Sequence, residues 1–319
     1  MLTLKNAEEK YILSTVRLVT NTGTGTGFIC QLTDKKYSKL NSLFFLVTNK
    51  HVIKDATKLV IKMHKLDSAK ANQTTKQVEV ILNNQEEITL EEDINSLFYF
   101  HPNEKIDIAI LNMNQTVLKK FTPLLMAIEI DNIIPDRNSS QVNIYDNITF
   151  IGYPNGLFDE KNLLPIVRKG SFATPYQIDF NGEPTFLIDA SVFPGSSGSP
   201  VFLFDRLDIG EGKNKLRIYQ PRILFLGIIS AVYTQNDLFD IIETKSIKAY
   251  GKHMLDIGIV YRATEIRKLI KSYFIDKILQ IPVSDELINE ESEIDKILEK
   301  ISLLAEQTSN KILERNSLP

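Results

Sequence analysis

Short apolar runs separated by turn residues constrain the fold of this 319-residue chain most strongly. The runs are rich in Val, Ile, Phe and Thr. They recur about every 8–12 residues, which is typical of antiparallel barrels and sandwiches. In the first half the pattern predicts strands over 14–20, 25–32, 43–49, 58–63, 77–82, 88–90 and 106–113. In the second half it predicts strands over 148–152, 165–173, 186–190, 200–204, 223–233 and 255–262.

A turn-rich segment divides these two halves. Residues 131–140 combine Asp, Asn, Pro and Ser, which favour turns over strand interiors. We expect the domain boundary there, with an N-terminal β-domain over 1–135 and a second β-domain over 136–275. The polar insert 205–221 predicts a hairpin at the surface.

The periodicity becomes helical after Ala263. Residues 265–274 carry apolar side chains at helical spacing, with Thr264 as the predicted N-cap. Residues 276–319 form a separate tail. Its helical pattern has one apolar face, made of Ile294, Ile297, Leu298, Ile301, Leu304 and Ala305. Such a face either packs on its own domain or makes 285–315 a docking or oligomerisation element.

A serine- and glycine-rich turn between two predicted strands is the main functional signal. Residues 193–201 read Phe-Pro-Gly-Ser-Ser-Gly-Ser-Pro-Val. Glycines allow backbone geometry that a side chain forbids. The N–H groups of such a turn can point into one hollow, where they stabilise an oxyanion. Ser197 is therefore a candidate nucleophile if a base and an acid serve it; a plain turn serine is the alternative.

A histidine and an acid occur upstream, each at the end of an apolar strand pattern. His51 follows the run 44–47, and Asp107 precedes the run 108–111. In a catalytic triad the serine gives its proton to the histidine. A buried carboxylate fixes the tautomer of the ring and stabilises the imidazolium. The order His51, Asp107, Ser197 fits these roles. The alternative is that His51 and Asp107 are ordinary polar residues at the ends of strands.

These segments resemble trypsin-like serine peptidases of the chymotrypsin fold, above all the bacterial high-temperature-requirement proteases. Residues 25–28 are similar to the family's Gly-x-Gly-Phe strand, and 47–52 to its Thr-Asn-x-His-Val segment. Residues 107–111 resemble its Asp-Ile-Ala-Val-Leu strand, and 151–156 its Gly-x-Pro turn. Further similar segments are 189–190, 227–230 and 258–261. The peptide-binding PDZ domain of many such proteases is not expected in the short tail.

The resemblance implies a mainly β fold, with two six-stranded antiparallel β-barrels of chymotrypsin type and C-terminal helices. It implies that His51 is the general base, Asp107 orients it, and Ser197 is the nucleophile at the seam. The Gly195 and Ser197 N–H groups would form the oxyanion hole. A protein or peptide substrate would pair as an added strand along the strand that begins at Ser230.

The resemblance also implies a substrate pocket around Ser191, Ser230, Ala231, Val232 and Gly258. Digestive relatives that cleave after basic residues carry an acid at the pocket base, where this chain has Ser191. They carry Trp-Gly where this chain has Ala231 and Val232. We expect a pocket without a fixed negative charge, partly closed by Val232, that prefers small or aliphatic P1 residues.

Activation is expected to differ from that of the digestive relatives. Those enzymes pair a freed N-terminus with an acid just before the nucleophile, and this chain has Ser196 there. Control by loops that order on binding is the alternative, as a population shift. The loops over 156–162 and 235–252 are candidates, with plain mobile loops as the other interpretation.

Composition argues against several classes of function. A net charge of −3 gives no electrostatic reason for a nucleic-acid partner. One cysteine and four histidines offer no metal-ligand spacing. We expect no cofactor, because the glycines of 23–27 lack the Lys-Ser/Thr of a phosphate loop. We interpret them as a turn into a strand.

The cysteine content, the first ten residues and the length of the apolar runs suggest a cytoplasmic location. Cys30 is the single cysteine and is expected to be a buried strand residue, so no intramolecular disulfide can form. Residues 1–10 lack the apolar region of a signal peptide. No apolar run reaches the roughly 20 residues that span a bilayer, so no membrane partner is expected.

We therefore predict an intracellular serine endopeptidase, serving protein quality control or a regulated stress or defence response. The alternative is a catalytically silent member of this fold, acting as a peptide-binding or scaffolding module through its C-terminal helix. An esterase of the α/β-hydrolase fold is disfavoured, because that fold places the histidine after the serine.

Overall fold

The computed structural model describes residues 2–4, 9–32, 43–71, 78–91, 93–130, 141–209, 218–240 and 248–278. Strands dominate these residues, and the two halves of the chain form separate sheets. The mainly β, chymotrypsin-type fold class is thereby confirmed. The expected boundary over 131–140 and the tail pattern over 285–315 lie outside the described residues.

The first half forms a curled sheet. Its strands are β1 (Leu2–Leu4), β2 (Thr15–Thr20), β3 (Thr24–Leu32), β4 (Leu43–Thr48), β5 (Leu59–His64), β6 (Ala69–Ala71), β7 (Val78–Val80), β8 (Gln85–Leu90), β9 (Phe98–Phe100), β10 (Ala109–Asn112) and β11 (Ile128–Glu129). The main sheet has the order β8–β5–β2–β3–β4–β10–β9, and β11 pairs with β3 in parallel. Strands β1, β7 and β6 form a small separate sheet. The described strands of this half make a curled half-barrel, where six strands in a closed barrel were expected.

The second half is a closed six-stranded barrel. Its strands are β12 (Asn147–Gly152), β13 (Ile166–Phe172), β14 (Thr185–Asp189), β15 (Pro200–Ile209), β16 (Ile218–Asp240) and β17 (Lys248–Arg262). They close in the order β12–β13–β14–β17–β16–β15. Pairing of β15 with β16 agrees with the predicted hairpin over 205–221. The segment 235–252, expected as a loop, is paired strand at both ends, because β16 and β17 continue beyond the barrel.

Helices are short except at the end of the second half. They are α1 (Lys10–Ser14), α2 (Lys50–Ile53), α3 (Ile94–Leu97), α4 (Met113–Thr116) and α5 (Ala263–Tyr273), with 3-10 turns over Leu66–Ser68 and Pro154–Gly156 and a π turn over Phe274–Ile278. The prediction that Thr264 caps α5 is wrong: the N-cap is Arg262, without a side-chain cap bond. Arg262 ends β17, and its side chain donates to the Tyr176 and Ile178 carbonyls, so the helix starts directly after the strand.

A shared apolar core joins the two halves to α5. Phe28 of β3 packs edge-on against Phe225 of β16, with ring centroids 5.5 Å apart. Ile266 of α5 and Phe202 of β15 belong to the same buried cluster. Cys30 is also buried in it, as predicted. Because this core fixes one sheet against the other, residues at the seam hold defined positions.

Candidate active site

The pairing of β4 with β10 brings His51 and Asp107 together. These strands run antiparallel with Ala109 opposite Thr48, so the residues before β10 lie beside those after β4. His51 lies in α2, which follows β4, and its Nδ1 atom is 2.6 Å from Asp107 Oδ2. The backbone N–H of His51 donates to Asp107 Oδ1 at 3.0 Å. One carboxylate therefore holds both the ring and the backbone of the histidine.

Asp107 is further held by two neighbours. The Ser230 hydroxyl donates to Asp107 Oδ2 at 2.8 Å, and the Asn49 side-chain amide donates to the Asp107 carbonyl oxygen at 2.7 Å. Burial alone would raise the pKa of Asp107. Hydrogen bonds from the His51 ring, the Ser230 hydroxyl and the His51 N–H, with the charge of His51, outweigh it and lower that pKa. The ionised carboxylate favours a proton on His51 Nδ1, which leaves Nε2 as the proton acceptor.

Lys50, next to His51, holds the loop that leads to Asp107. Its ammonium donates to the carbonyl oxygens of His101 and Asn103, at 3.1 and 3.3 Å. Burial lowers the pKa of Lys50, and the charge of Asp107 opposes that shift. From the second barrel, the Tyr261 hydroxyl donates to the carbonyl oxygen of Lys105 in the same loop, at 2.9 Å. Both halves of the chain thus fix the approach to Asp107.

Ser197 lies across the seam from this pair. Its hydroxyl donates to the Ser230 carbonyl oxygen at 3.0 Å. An open cavity of about 390 Å³ joins the three predicted triad residues; it is lined by His51, Asp107, Val192, Phe193, Pro194, Ser197, Ser230 and Ala231. The structure therefore brings the three side chains to one cavity.

A tight turn precedes Ser197. The Ser196 N–H donates to the Phe193 carbonyl oxygen at 2.9 Å, and Gly195 has a φ of +88°. With Pro194 as the second residue, a positive φ at the third residue defines a type II turn. The Pro194 carbonyl oxygen accepts from the Asn155 N–H at 2.5 Å. Because C=O and N–H of a trans peptide point in opposite directions, the Gly195 N–H points away from Asn155.

The Ser197 N–H is oriented in the same way. The Ser196 carbonyl oxygen accepts from the Ser199 N–H at 3.0 Å, so the Ser197 N–H of that peptide points away from Ser199. Within the described ranges, neither the Gly195 nor the Ser197 N–H has a hydrogen-bond acceptor. Two oriented backbone donors without a protein partner are what a developing oxyanion requires.

The residues predicted for the substrate pocket are only partly at the cavity. Ser230 and Ala231 line it, whereas Ser191 and Gly258 are not among its lining residues. A Cβ added to Gly258 would lie 2.8 Å from Val192 Cγ2, so Val192 fills the space beside this glycine. The backbone of Val232 pairs with Gly258, and the Val232 side chain lies outside the described part of the chain. Val192 therefore lines the cavity, whereas Ser191, which was expected at the base of the substrate pocket, does not.

Sequence reasoning did not single out several residues that hold the site. Asn49 and Lys50 lie within the Thr-Asn-Lys-His segment quoted for His51, and Asn155 lies within the Gly-Tyr-Pro-Asn-Gly turn. Thr26 lies in the Gly-Thr-Gly-Phe segment, and its N–H donates to the Ser197 carbonyl oxygen at 3.0 Å. Their position inside the recognised segments was the available signal. Their roles depend on contacts with distant residues, which no local pattern shows.

Two general features of the described chain bear on other classes of function. Among its residues no group of three or more His, Cys, Asp or Glu side chains is placed to hold a metal ion. No helix in that part of the chain is long and apolar enough to cross a membrane. Of the glycines in 23–27, Gly23 precedes β3, and Gly25 and Gly27 lie within it, in agreement with the predicted turn into a strand.

Comparisons with known proteins address the family. Solved structures similar to this chain include the inactive form of a serine-to-alanine mutant of Rv3671c from M. tuberculosis H37Rv, with 14% identity over 87% of this chain and 93% of that one, and a TM-score of 0.40. The apo MamO protease domain from Magnetospirillum magneticum has 11% identity over 82% and 97%, and a TM-score of 0.40. No curated protein matches significantly. The model of the trypsin-like peptidase domain matches residues 25–207. This span is more than half of the 319 residues, and the chain therefore belongs to the trypsin-like peptidase domain family.

Proposed function

We propose that this chain is a serine endopeptidase that hydrolyses peptide bonds through an acyl-enzyme, with His51 as base, Asp107 as its partner and Ser197 as nucleophile. The observation that carries the proposal is the 2.6 Å contact between His51 Nδ1 and Asp107 Oδ2, beside a cavity that Ser197 also lines. A binding module would have no need of this charge-assisted pair at the nucleophile.

In the proposed reaction, Ser197 Oγ attacks the carbonyl carbon of the scissile bond while His51 Nε2 takes the hydroxyl proton. The carbonyl oxygen becomes an oxyanion between the Gly195 and Ser197 N–H groups. Collapse breaks the C–N bond, and His51 returns the proton to the leaving amine. Water then repeats the sequence on the ester, with His51 again as base, and releases the acid.

The Asp107 carboxylate supports both half-reactions. It stays ionised because its pKa is lowered, so it can stabilise the imidazolium that His51 becomes. It also keeps the Nδ1–H tautomer in the resting enzyme. Removing one oxyanion donor typically costs about 2.7–4 kcal/mol of transition-state stabilisation. The turn that carries the Gly195 and Ser197 N–H groups is therefore needed for catalysis, as is the pair of His51 and Asp107.

The proposed substrate is a protein or peptide with a small or aliphatic P1 residue. Val192 supports this, because its side chain is buried against Gly258 at the wall of the cavity. Asp107 is the one acidic residue among the cavity's lining residues, and it is already committed to His51 and Ser230. The described cavity therefore offers no free carboxylate for a P1 Lys or Arg.

We further propose a cytoplasmic role in quality control or in a stress or defence response. The single cysteine supports a reducing compartment, because it excludes an intramolecular disulfide. Residues 276–319 are proposed as a docking or oligomerisation element outside the two β-domains over 1–135 and 136–275. Deleting 279–319 and measuring the oligomeric state by light scattering tests that assignment.

Labelling with an alkyl fluorophosphonate tests the proposed chemistry. Intact-mass spectrometry should find one adduct on wild type and none on Ser197→Ala or His51→Ala. Folded wild type without an adduct would contradict the assembled triad and favour the silent binding module. Adducts that persist in Ser197→Ala would place the nucleophile elsewhere.

A further inference from the structure

We infer that Thr26, a residue of the first sheet, positions the oxyanion donors of the second barrel. This inference rests on the proposed function. Thr26 lies in β3 and is fully buried. It touches neither the cavity nor His51 in any described contact, so it acts through the turn that carries Ser197.

Thr26 binds both carbonyls that follow the two proposed oxyanion donors. Its hydroxyl donates to the Gly195 carbonyl oxygen at 2.8 Å, and its backbone N–H donates to the Ser197 carbonyl oxygen at 3.0 Å. Two consecutive peptide planes meet at each Cα, and their relative rotation is set by φ and ψ of that residue. Thr26 therefore holds the peptide plane that follows Gly195 and the peptide plane that follows Ser197.

The peptide planes that precede Gly195 and Ser197 are held by residues of the second barrel. The Asn155 N–H binds the Pro194 carbonyl oxygen, and the Ser199 N–H binds the Ser196 carbonyl oxygen. Glycine has no side chain to restrict its backbone, so Gly195 needs both planes fixed to keep its φ of +88°. Without the Thr26 bond, one of these two restraints is lost.

The hydroxyl of Thr26 does two things that no apolar side chain can do. It donates to Gly195, and it accepts from the Tyr153 N–H at 3.0 Å. Tyr153 begins the segment that also carries Asn155, so one oxygen links both sides of the turn. Thr26 is in turn fixed by the Thr48 hydroxyl, which donates to the Thr26 carbonyl oxygen at 2.8 Å.

Two glycines leave room for this arrangement. A Cβ at Gly198, whose φ is +90°, would lie 1.8 Å from the Thr26 carbonyl oxygen. A Cβ at Gly152 would lie 3.1 Å from the Thr26 hydroxyl and 2.0 Å from the Ser199 hydroxyl. The second barrel is thus shaped to receive Thr26 closely on two sides.

The test is the rate of fluorophosphonate labelling, separated into the maximal rate and the concentration at half-maximal rate. Thr26→Val keeps the shape and removes the hydroxyl, so its maximal rate should fall about 10- to 100-fold. That is less than the 10²- to 10³-fold typical of deleting a donor. The half-maximal concentration should stay within about 2-fold, since probe binding is not affected. Thr26→Ser should recover the rate to within about 3-fold.

Thr15→Val is the matched control. Thr15 is a buried threonine of β2 whose hydroxyl donates to the Tyr11 carbonyl oxygen, and not to a group of the turn. It should lose stability in a melting experiment yet label at the wild-type rate. If Thr26→Val does not fold, Thr26→Cys replaces it, because a thiol is a weak donor; its rate should fall at least about 3-fold below that of Thr26→Ser.

The outcomes separate the two claims. Wild type that labels, with Thr26→Val or the cysteine variant equally fast, overturns the role of Thr26 alone. A loss in Thr15→Val as large as in Thr26→Val also overturns it, because destabilisation would then explain both. Wild type that never labels overturns the proposed function and this inference together.

Discussion

The Ser197 hydroxyl donates its hydrogen bond to the carbonyl oxygen of Ser230, at 3.0 Å. A hydroxyl has one proton to donate, so Ser197 must leave this acceptor before it can donate to His51. Ser230 lies within β16 and not at the start of a strand, as had been expected; a peptide substrate is proposed to pair along this part of β16. A substrate N–H that took the Ser230 carbonyl would displace Ser197 and free its proton for the base.

A backbone N–H at P1 should therefore raise the chemical rate as well as the affinity. For a cleaved peptide, N-methylation of the P1 residue should lower kcat at least about 10-fold, together with any rise in KM. N-methylation of a residue remote from the scissile bond is the control. An unchanged kcat, with only KM affected, would show that the displacement has no part in catalysis.

Asp107→Asn should leave the fold intact and remove most activity. The amide can present its N–H to His51 Nδ1, which leaves the wrong tautomer for a base; in chymotrypsin-like enzymes the same change at the triad acid lowers kcat by about 10⁴-fold. We expect a fall of about 10³- to 10⁴-fold in the maximal labelling rate. Asp189→Asn, an exposed acid near Ser197 in sequence, is the control and should label normally. If the maximal labelling rate of Asp107→Asn fell by less than about 10-fold, the assignment of Asp107 as the partner of His51 would be contradicted.

Gly195→Ala should disrupt the turn. Its φ of +88° is strained for alanine, and the new Cβ would lie 2.6 Å from the Tyr153 carbonyl oxygen. We expect about 1–3 kcal/mol of destabilisation and a loss of at least about 10²-fold in activity, as when a donor is removed. Urea unfolding and labelling rates measure the two effects. Gly182→Ala, also at positive φ but in open space, should lose stability alone.

Local sequence patterns were enough to predict the parts of this site that are formed by residues close together in the sequence. The strand that delivers His51, the acid before β10 and the glycine turn around Ser197 could all be predicted from their own segments. Thr26 could not, because its hydroxyl partners Gly195 and Tyr153 lie 169 and 127 residues away. The same reason explains the pocket: whether Ser191 or Val192 faces the cavity depends on how the chain turns there.

For the fold, too, local elements could be predicted from the sequence and contacts between distant segments could not. Alternating apolar runs indicate strands, but their closure depends on pairing between distant segments. The short strand β9 (Phe98–Phe100) was missed, because its sequence Phe-Tyr-Phe does not alternate between apolar and polar residues. The start of α5 was placed too late, since the anchoring of Arg262 at the Tyr176 loop is a tertiary effect.

Val192 should set the size of the P1 residue. Wild type is expected to cleave after Ala or Val at least about 10-fold faster than after Phe or Arg in a P1 peptide library. Val192→Ala should shift the preference toward larger side chains by about 10-fold, since one methylene in a pocket is worth about 1–3 kcal/mol. Val167→Ala, on an exposed part of β13, is the control. Cleavage far faster after Arg than after Ala by wild type would contradict the uncharged pocket.

His101 should make stability depend on pH. Burial, and then the charge of Lys50, lower its pKa to about 4; a backbone hydrogen bond with Asn103 opposes this shift, and the charge of Lys268 adds to it. The unfolded chain binds a proton near pH 6.5, whereas the folded protein does so only near pH 4. The free energy of unfolding should therefore fall as the pH falls from 6.5 to 4, by about 3 kcal/mol at most. Urea unfolding of His101→Gln beside wild type isolates this contribution, since His64, whose pKa burial also lowers, is present in both. Parallel pH profiles for the two proteins would show that His101 is protonated in the fold as readily as in the unfolded chain.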